Sequence, residues 1–231
     1  MIKRGSFAGL VLLVAVSLAP AGGFLFKKGT PTSSADAAIP FDELSEAQRT
    51  LVRSVVDKPT MVGRGPSETF PCRPEHYYWF LEHPDRAVTA WRRIGAKCAS
   101  ITPRGEGCFG WSDDQGSDLV WRTVYKAPGI RIWYAEGKVR PAPVLALVPV
   151  KAVLVLHHGE GKNAEGASTI QHRSELYLVT ESKSATALTK LMGQSASKLA
   201  EQGLGQLQLF FSGVSWYIHR HPEKADELLK Q

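Results

Sequence analysis

The sequence predicts an α+β domain: a curved antiparallel sheet packed around one long C-terminal helix, behind an N-terminal signal or anchor helix. Three observations predict it. The first half of the chain carries helical periodicity in short pieces. From Lys97 to Thr180 the apolar period changes to two, with turn residues every ten or so positions. From Ser182 to His219 the helical period returns and persists.

The N-terminus reads as a targeting segment. Lys3 and Arg4 precede an almost wholly apolar run from Phe7 to Ala19, and the apolar character continues to Phe26 before Lys27 and Lys28. Ala19-Pro20-Ala21 has the small-x-small form of a cleavage site. Counted to Phe26, the run is also long enough to span a bilayer. Residues 1–27 are therefore a signal peptide or a membrane anchor, and either fate predicts export to the periplasm or the extracytoplasmic face of a membrane. Residues 28–44, rich in Ser, Thr, Ala and Pro, read as a linker.

Charge adds little. Without the cations Lys3, Arg4, Lys27 and Lys28 and the anion Asp36, the formal +6 falls to +3. Lys and Arg are not clustered, so a nucleic-acid partner is not expected. Cys72, Cys98 and Cys108 lie 26 and then 10 residues apart, which matches no common zinc site. Cys98 with Cys108 across a hairpin, Cys72 with either, and three free thiols all stay open, as an exported chain permits disulfides.

Taking the elements in order, Ser45-Glu46-Ala47-Gln48 fits a capping box and opens a helix over 45–58, ended by Lys58-Pro59. It is expected to pack on the outside of the domain. A short strand is expected around Ser67 to Cys72. Pro74 starts a short helix over Glu75 to Glu82, and Pro84 starts another that stops at Gly95. Tyr77, Tyr78, Trp79, Phe80 and Trp91 make this pair aromatic. Candidate strands follow at Lys97–Thr102, Cys108–Ser112, Leu119–Lys126, Ile130–Glu136, Val144–Leu156 and Ser168–Thr180. Leu119, Trp121, Thr123 and Tyr125 are expected on one face. Pro149 predicts a bend or a division into two strands. The glycines at 193, 203, 205 and 213 predict close packing of the last helix or a break near Gly203 to Gly205. Residues 223–231 form a charged tail.

Two helices, successive antiparallel strands and a long final helix resemble the helix-grip arrangement of the START-like (SRPBCC) superfamily over residues 59–222. The aromatic pattern Tyr77-Tyr78-Trp79, Trp91 and Gly95 also carries the resemblance. It implies a curved sheet wrapping the last helix around an apolar cavity that holds a lipid or other apolar small molecule, without a cofactor. Some members are enzymes, and no catalytic residue carries over to this chain.

Three functions follow as expectations. The first is a non-catalytic binder of an apolar molecule at the cell envelope, with Tyr78, Trp91, Trp121, Tyr125, Trp133, His158, His172, Leu207 and Phe210 as cavity candidates. The second is a membrane-tethered interaction domain with a filled core. The third is a cyclase- or hydrolase-like enzyme using the same cavity, with Arg122, His158, His172 or Glu175 as polar groups, which needs two or more of them to converge inward. His158 and His172 would approach if their strands form a hairpin. Only one of His157 and His158 faces that site, because neighbours on a strand point apart. No metal site is expected, and the oligomeric state is not legible.

Overall fold

A computed structural model describes residues 39–96, 99–140, 146–180 and 194–229. The expected targeting segment and most of the expected linker lie outside the described residues, as does the part of the last predicted helix before Gln194. Among the described residues no helix is long and apolar enough to cross a membrane.

After a 3-10 turn at Phe41–Glu43, helix α1 spans Glu46–Val56. Its start follows from side-chain chemistry: the Gln48 amide N–H donates to Ser45 Oγ at 3.3 Å, and the Ser45 N–H donates to Gln48 Oε1 at 3.0 Å. Strands β1 (Met61–Arg64) and β2 (Glu68–Pro71) are two pieces of one sheet edge. Helices α2 (Pro74–Glu82) and α3 (Pro84–Arg93) each carry a proline in the first turn, where no N–H partner is lost. Then come β3 (Thr102–Gly105), β4 (Cys108–Ser112), β5 (Asp118–Ala127), β6 (Ile130–Val139), β7 (Val148–Lys162) and β8 (Ser168–Thr180). Helix α4 (Gln194–Arg220), a 3-10 turn at Pro222–Lys224 and helix α5 (Ala225–Leu229) complete the chain.

All pairings are antiparallel. The eight strands form one curved, unclosed sheet in the order β1-β8-β7-β6-β5-β4-β3, with β2 also on β8. The hairpin turns show why the strands are so closely spaced. Asp113 Oδ1 accepts from the N–H groups of Gln115 and Ser117, and Asn163 Oδ1 accepts from Glu165 and Ala167. Gly116 and Gly166, in the same turns, take positive φ.

Strand parity divides the core. The inner face packs Leu119, Trp121, Ala135, Ala152, Leu154 and Leu156 against α2, α3 and α4. The outer face packs Val124, Ile132, Tyr134, Val153 and Val155 under α1, through Val52 and Val55. As expected, α1 lies on the outside.

Several expectations are corrected. Residues 99–101 are not a strand, and pairing begins at Thr102; Lys97 and Cys98 lie outside the described residues. Strand β7 does not divide at Pro149. That residue pairs with Lys138 of β6, while the ladder to β8 begins one residue later at Val150, so the missing N–H falls where the strand has only one neighbour. Helix α4 runs unbroken through Gly203 and Gly205, a length of about 40 Å. Close packing does occur at Gly213, against Trp91 of α3 and not against the sheet: a Cβ there would lie 2.6 Å from the indole ring. Cys72 and Cys108 are free thiols.

Candidate functional site

Between the inner face of the sheet and α4 lies an apolar cleft. It is lined by Phe80, Leu81 and Pro84 from α2 and α3, by Ile101, and by Leu119, Trp121, Trp133, Ala135, Ala152 and Leu154 from the sheet. Leu207, Phe210 and Phe211 of α4 close it. No charged residue lines it. The enclosed void is about 50 Å³ within an open-mouthed cleft of about 660 Å³. The void is thus about two water volumes, far below the 300–1,000 Å³ of a drug-sized pocket.

Of the nine cavity candidates, Trp121, Trp133, Leu207 and Phe210 line the cleft. Trp91 is buried beside it instead: its indole N–H donates to the Phe210 carbonyl at 2.6 Å and its ring stacks on Phe210 at 6.0 Å, fastening α3 to α4. Tyr125 is a correction. Register shifts between Thr123 and Tyr125, so that Val124 is an extra residue opposite β6. Both Val124 and Tyr125 then face the outer core, and the Tyr125 hydroxyl donates to Glu43. Alternation along a strand gives no warning of a bulge. The cleft residues that the sequence did not single out, such as Leu154 and Phe211, are ordinary core residues in any periodicity pattern.

Tyr78, His158 and His172 belong to a separate polar island beyond Leu156 on the inner face. His158 and His172 are directly opposite each other on β7 and β8, as the hairpin predicts. The Tyr77 hydroxyl lies 3.1 Å from His172 Nδ1. His172 Nε2 lies 3.5 Å from Glu68 Oε2, and neither of those buried atoms makes a hydrogen bond. Phe70 meets the His172 ring at 4.9 Å, and Tyr77 and Tyr78 meet the His158 ring edge-on at 5.8 and 5.6 Å.

Burial sets the charge states here. It pushes His158 down to about 4, with the nearby Arg131 guanidinium adding to the effect. It pushes Tyr77 well above its usual value. Tyr78 rises to about 12 through burial and its 2.8 Å bond to Glu160. Near neutrality the His158 imidazole is neutral and both phenols keep their protons. Tyr77 and His172 are 0 % and 1 % exposed, so substrate cannot reach this pair without opening the core.

Of the four polar groups of the enzyme reading, only His158 and His172 come together. Arg122 stacks on Tyr134 at 5.8 Å on the outer face. Glu175 is buried on that same face, 3.5 Å from Arg173 and bonded by the Tyr177 hydroxyl at 3.0 Å. His158 and His172 are on the inner face. Among the described residues, no three His, Cys, Asp or Glu side chains are placed to hold a metal ion.

The inner elements are held by two polar clamps. Buried Arg131 donates to the Leu81 carbonyl at 2.7 Å and to the Glu82 carboxylate, securing the C-terminal end of α2 to β6. Burial opposes ionisation of Glu82, but the bonds from Lys126 and Arg131 outweigh it and hold the carboxyl below its usual range. Buried Gln208 of α4 accepts from the Ser174 hydroxyl at 3.1 Å and donates to the Pro66 carbonyl at 2.6 Å, at the gap between β1 and β2.

Comparison of the sequence with protein-family models finds no match, and neither does comparison with characterised proteins. Among solved structures, the chain is similar to a conserved protein from Geobacillus kaustophilus, at 17% identity and a TM-score of 0.44, over 69% of this chain and 96% of that one. A hypothetical protein from Helicobacter pylori gives 9% and 0.40, over 72% and 92%. The protein XoxI from Bacillus cereus gives 15% and 0.32, over 64% and 98%. No residue role carries over at these identities.

Proposed function

We propose that this chain is a START-like, non-catalytic binder of an apolar small molecule or lipid chain, exported to the cell envelope and held there or released according to the fate of residues 1–27. The observation that carries the reading is the apolar cleft, where α2, α3, the sheet and α4 converge without a charged side chain. The order of a broken first strand, two helices, six more strands and a final helix supports the helix-grip assignment. The small void specifies how binding would work. A ligand enters tip-first and lies partly in the open mouth, or the cleft widens around it, with α3 and α4 as the movable walls.

That same small void favours a second reading, a tethered interaction domain with a filled core. Native mass spectrometry of the full chain, released from detergent and followed by solvent extraction, separates the two. A stoichiometric apolar molecule supports the first reading. A bare mass that stays unchanged after incubation with a mixed lipid extract leaves the filled core as the better reading.

A further inference from the structure

We propose that a second pocket, where β2 meets α2 and the end of α4, binds a phosphate-type oxyanion, either free or as a lipid headgroup. This pocket has about 210 Å³ of void within an open cleft of about 590 Å³. That is room for about seven waters, or for a phosphate group with part of its hydration.

Its lining is chemically unlike the cleft. Cys72, Arg73, His76, Ser215, Ile218 and His219 surround it, and the turn that begins at Pro222 closes it. A guanidinium and two imidazoles face a space that no carboxylate lines, and guanidinium–phosphate bonds are among the stronger charge-assisted kinds. Arg73 occupies the N-cap position of the nine-residue helix α2 and makes no side-chain cap there. The positive end of that helix therefore adds to the field of Arg73 and His76. The opposite end of α4 brings a negative dipole, which His219 and Arg220 offset.

Neighbouring groups fit the same reading. The buried Cys72 thiol donates to the Arg73 carbonyl at 3.3 Å, and burial pushes it up to about 11, so it adds no negative charge. The Ser215 hydroxyl donates to the Phe211 carbonyl at 2.9 Å. Of the nearby acids, Glu75 is exposed on the first turn of α2, and Glu223 lies 3.5 Å from His221. Among the described residues no three His, Cys, Asp or Glu side chains are placed to hold a metal ion, and the guanidinium of Arg73 suits an anion.

The test uses the full chain in detergent, with histidine resonances followed by NMR and assigned through His76→Gln and His219→Gln. Titration with inorganic phosphate is compared with vesicles of phosphatidylcholine alone and with added phosphatidic acid. Saturable shifts of His76 and His219 with phosphate support a free-anion site. Shifts confined to the phosphatidic acid vesicles support a headgroup site. In either case Arg73→Gln weakens binding about tenfold, the loss of one charge-assisted pair, while Lys138→Gln on β6 leaves it unchanged. No shift with either probe, or equal weakening by the two substitutions, overturns the proposal. None of these outcomes depends on whether the apolar cleft binds a ligand.

Discussion

Single residues decide this structure at a few points of close approach. At Gly65 a Cβ would fall 1.9 Å from Gln208 Oε1 and 2.9 Å from Ser174 Oγ, inside the clamp that joins α4 to the sheet edge. Gly65→Ala is expected to lower stability by about 1–3 kcal/mol through overpacking, read as a lower denaturation midpoint with the helical signal intact. His158 gives a pH prediction. Its folded value, about 4, lies below the ordinary 6.5, so the unfolded chain binds a proton that the folded chain refuses. Stability then falls as pH drops from about 6.5 toward 4, by less than ~1.4 kcal/mol per unit because the ring is only half-buried. His158→Asn should flatten that part of the stability-versus-pH curve. An unchanged curve would mean that the imidazole is not kept neutral by its surroundings. The pairing of His158 with His172 was legible in the sequence, because hairpin geometry and strand parity fix it. The Tyr77 hydroxyl beside them was not, since no periodicity says which residue of a helix meets a given strand.

Elements were legible where local chemistry fixes them. The Ser45–Gln48 capping box, the prolines that open α2 and α3, and the Asp, Asn and Gly turns all act within a few residues. Cys108–Ser112 and Ser168–Thr180 are found as strands with the expected bounds. The failures have non-local causes. The bulge at Val124 arises from pairing with β6, and Pro149 is tolerated because of where the β8 ladder begins. Helix α4 likewise survives its glycines because the packing around it, not propensity, holds it together. Gly205 therefore offers a clean test: nothing lies within 4 Å of a Cβ built there. Gly205→Ala should stabilise the protein by about 1 kcal/mol, the ordinary helix preference, and a calorimetric transition would show it as a higher midpoint. A destabilised variant would show that the helix surface at this position is covered.

At the scale of the whole molecule, the two faces of the sheet have different tasks. The outer face is a packed core under α1, and its polar pairs, Arg122 on Tyr134 and Glu175 with Arg173, stay on that side. The inner face divides into an apolar cleft and a Tyr–His island of which Tyr77 and His172 are fully buried. This division bears on the proposed ligand site. Ala135 is 5 % exposed and lines the cleft, so Ala135→Leu would place three more carbons in a void of about 50 Å³. If the cleft is the binding site, uptake of an apolar probe falls at least about tenfold, the equivalent of 1.4 kcal/mol, while the thermal midpoint holds or rises. Unchanged uptake with a normal midpoint would place the probe elsewhere.

The sequence by itself determined the helices-then-strands-then-helix order, the antiparallel hairpins, the cap of α1 and the opposition of His158 and His172, because each follows from turn chemistry or from a periodicity acting over a few residues. Only the tertiary structure decided which aromatic residues share the cleft, how little of it stays empty, and that Arg73, His76 and His219 meet around a separate polar pocket. Those outcomes depend on how α2, α3 and α4 settle on one face of the sheet. Contacts between residues far apart in the chain are fixed by packing, which no local pattern records.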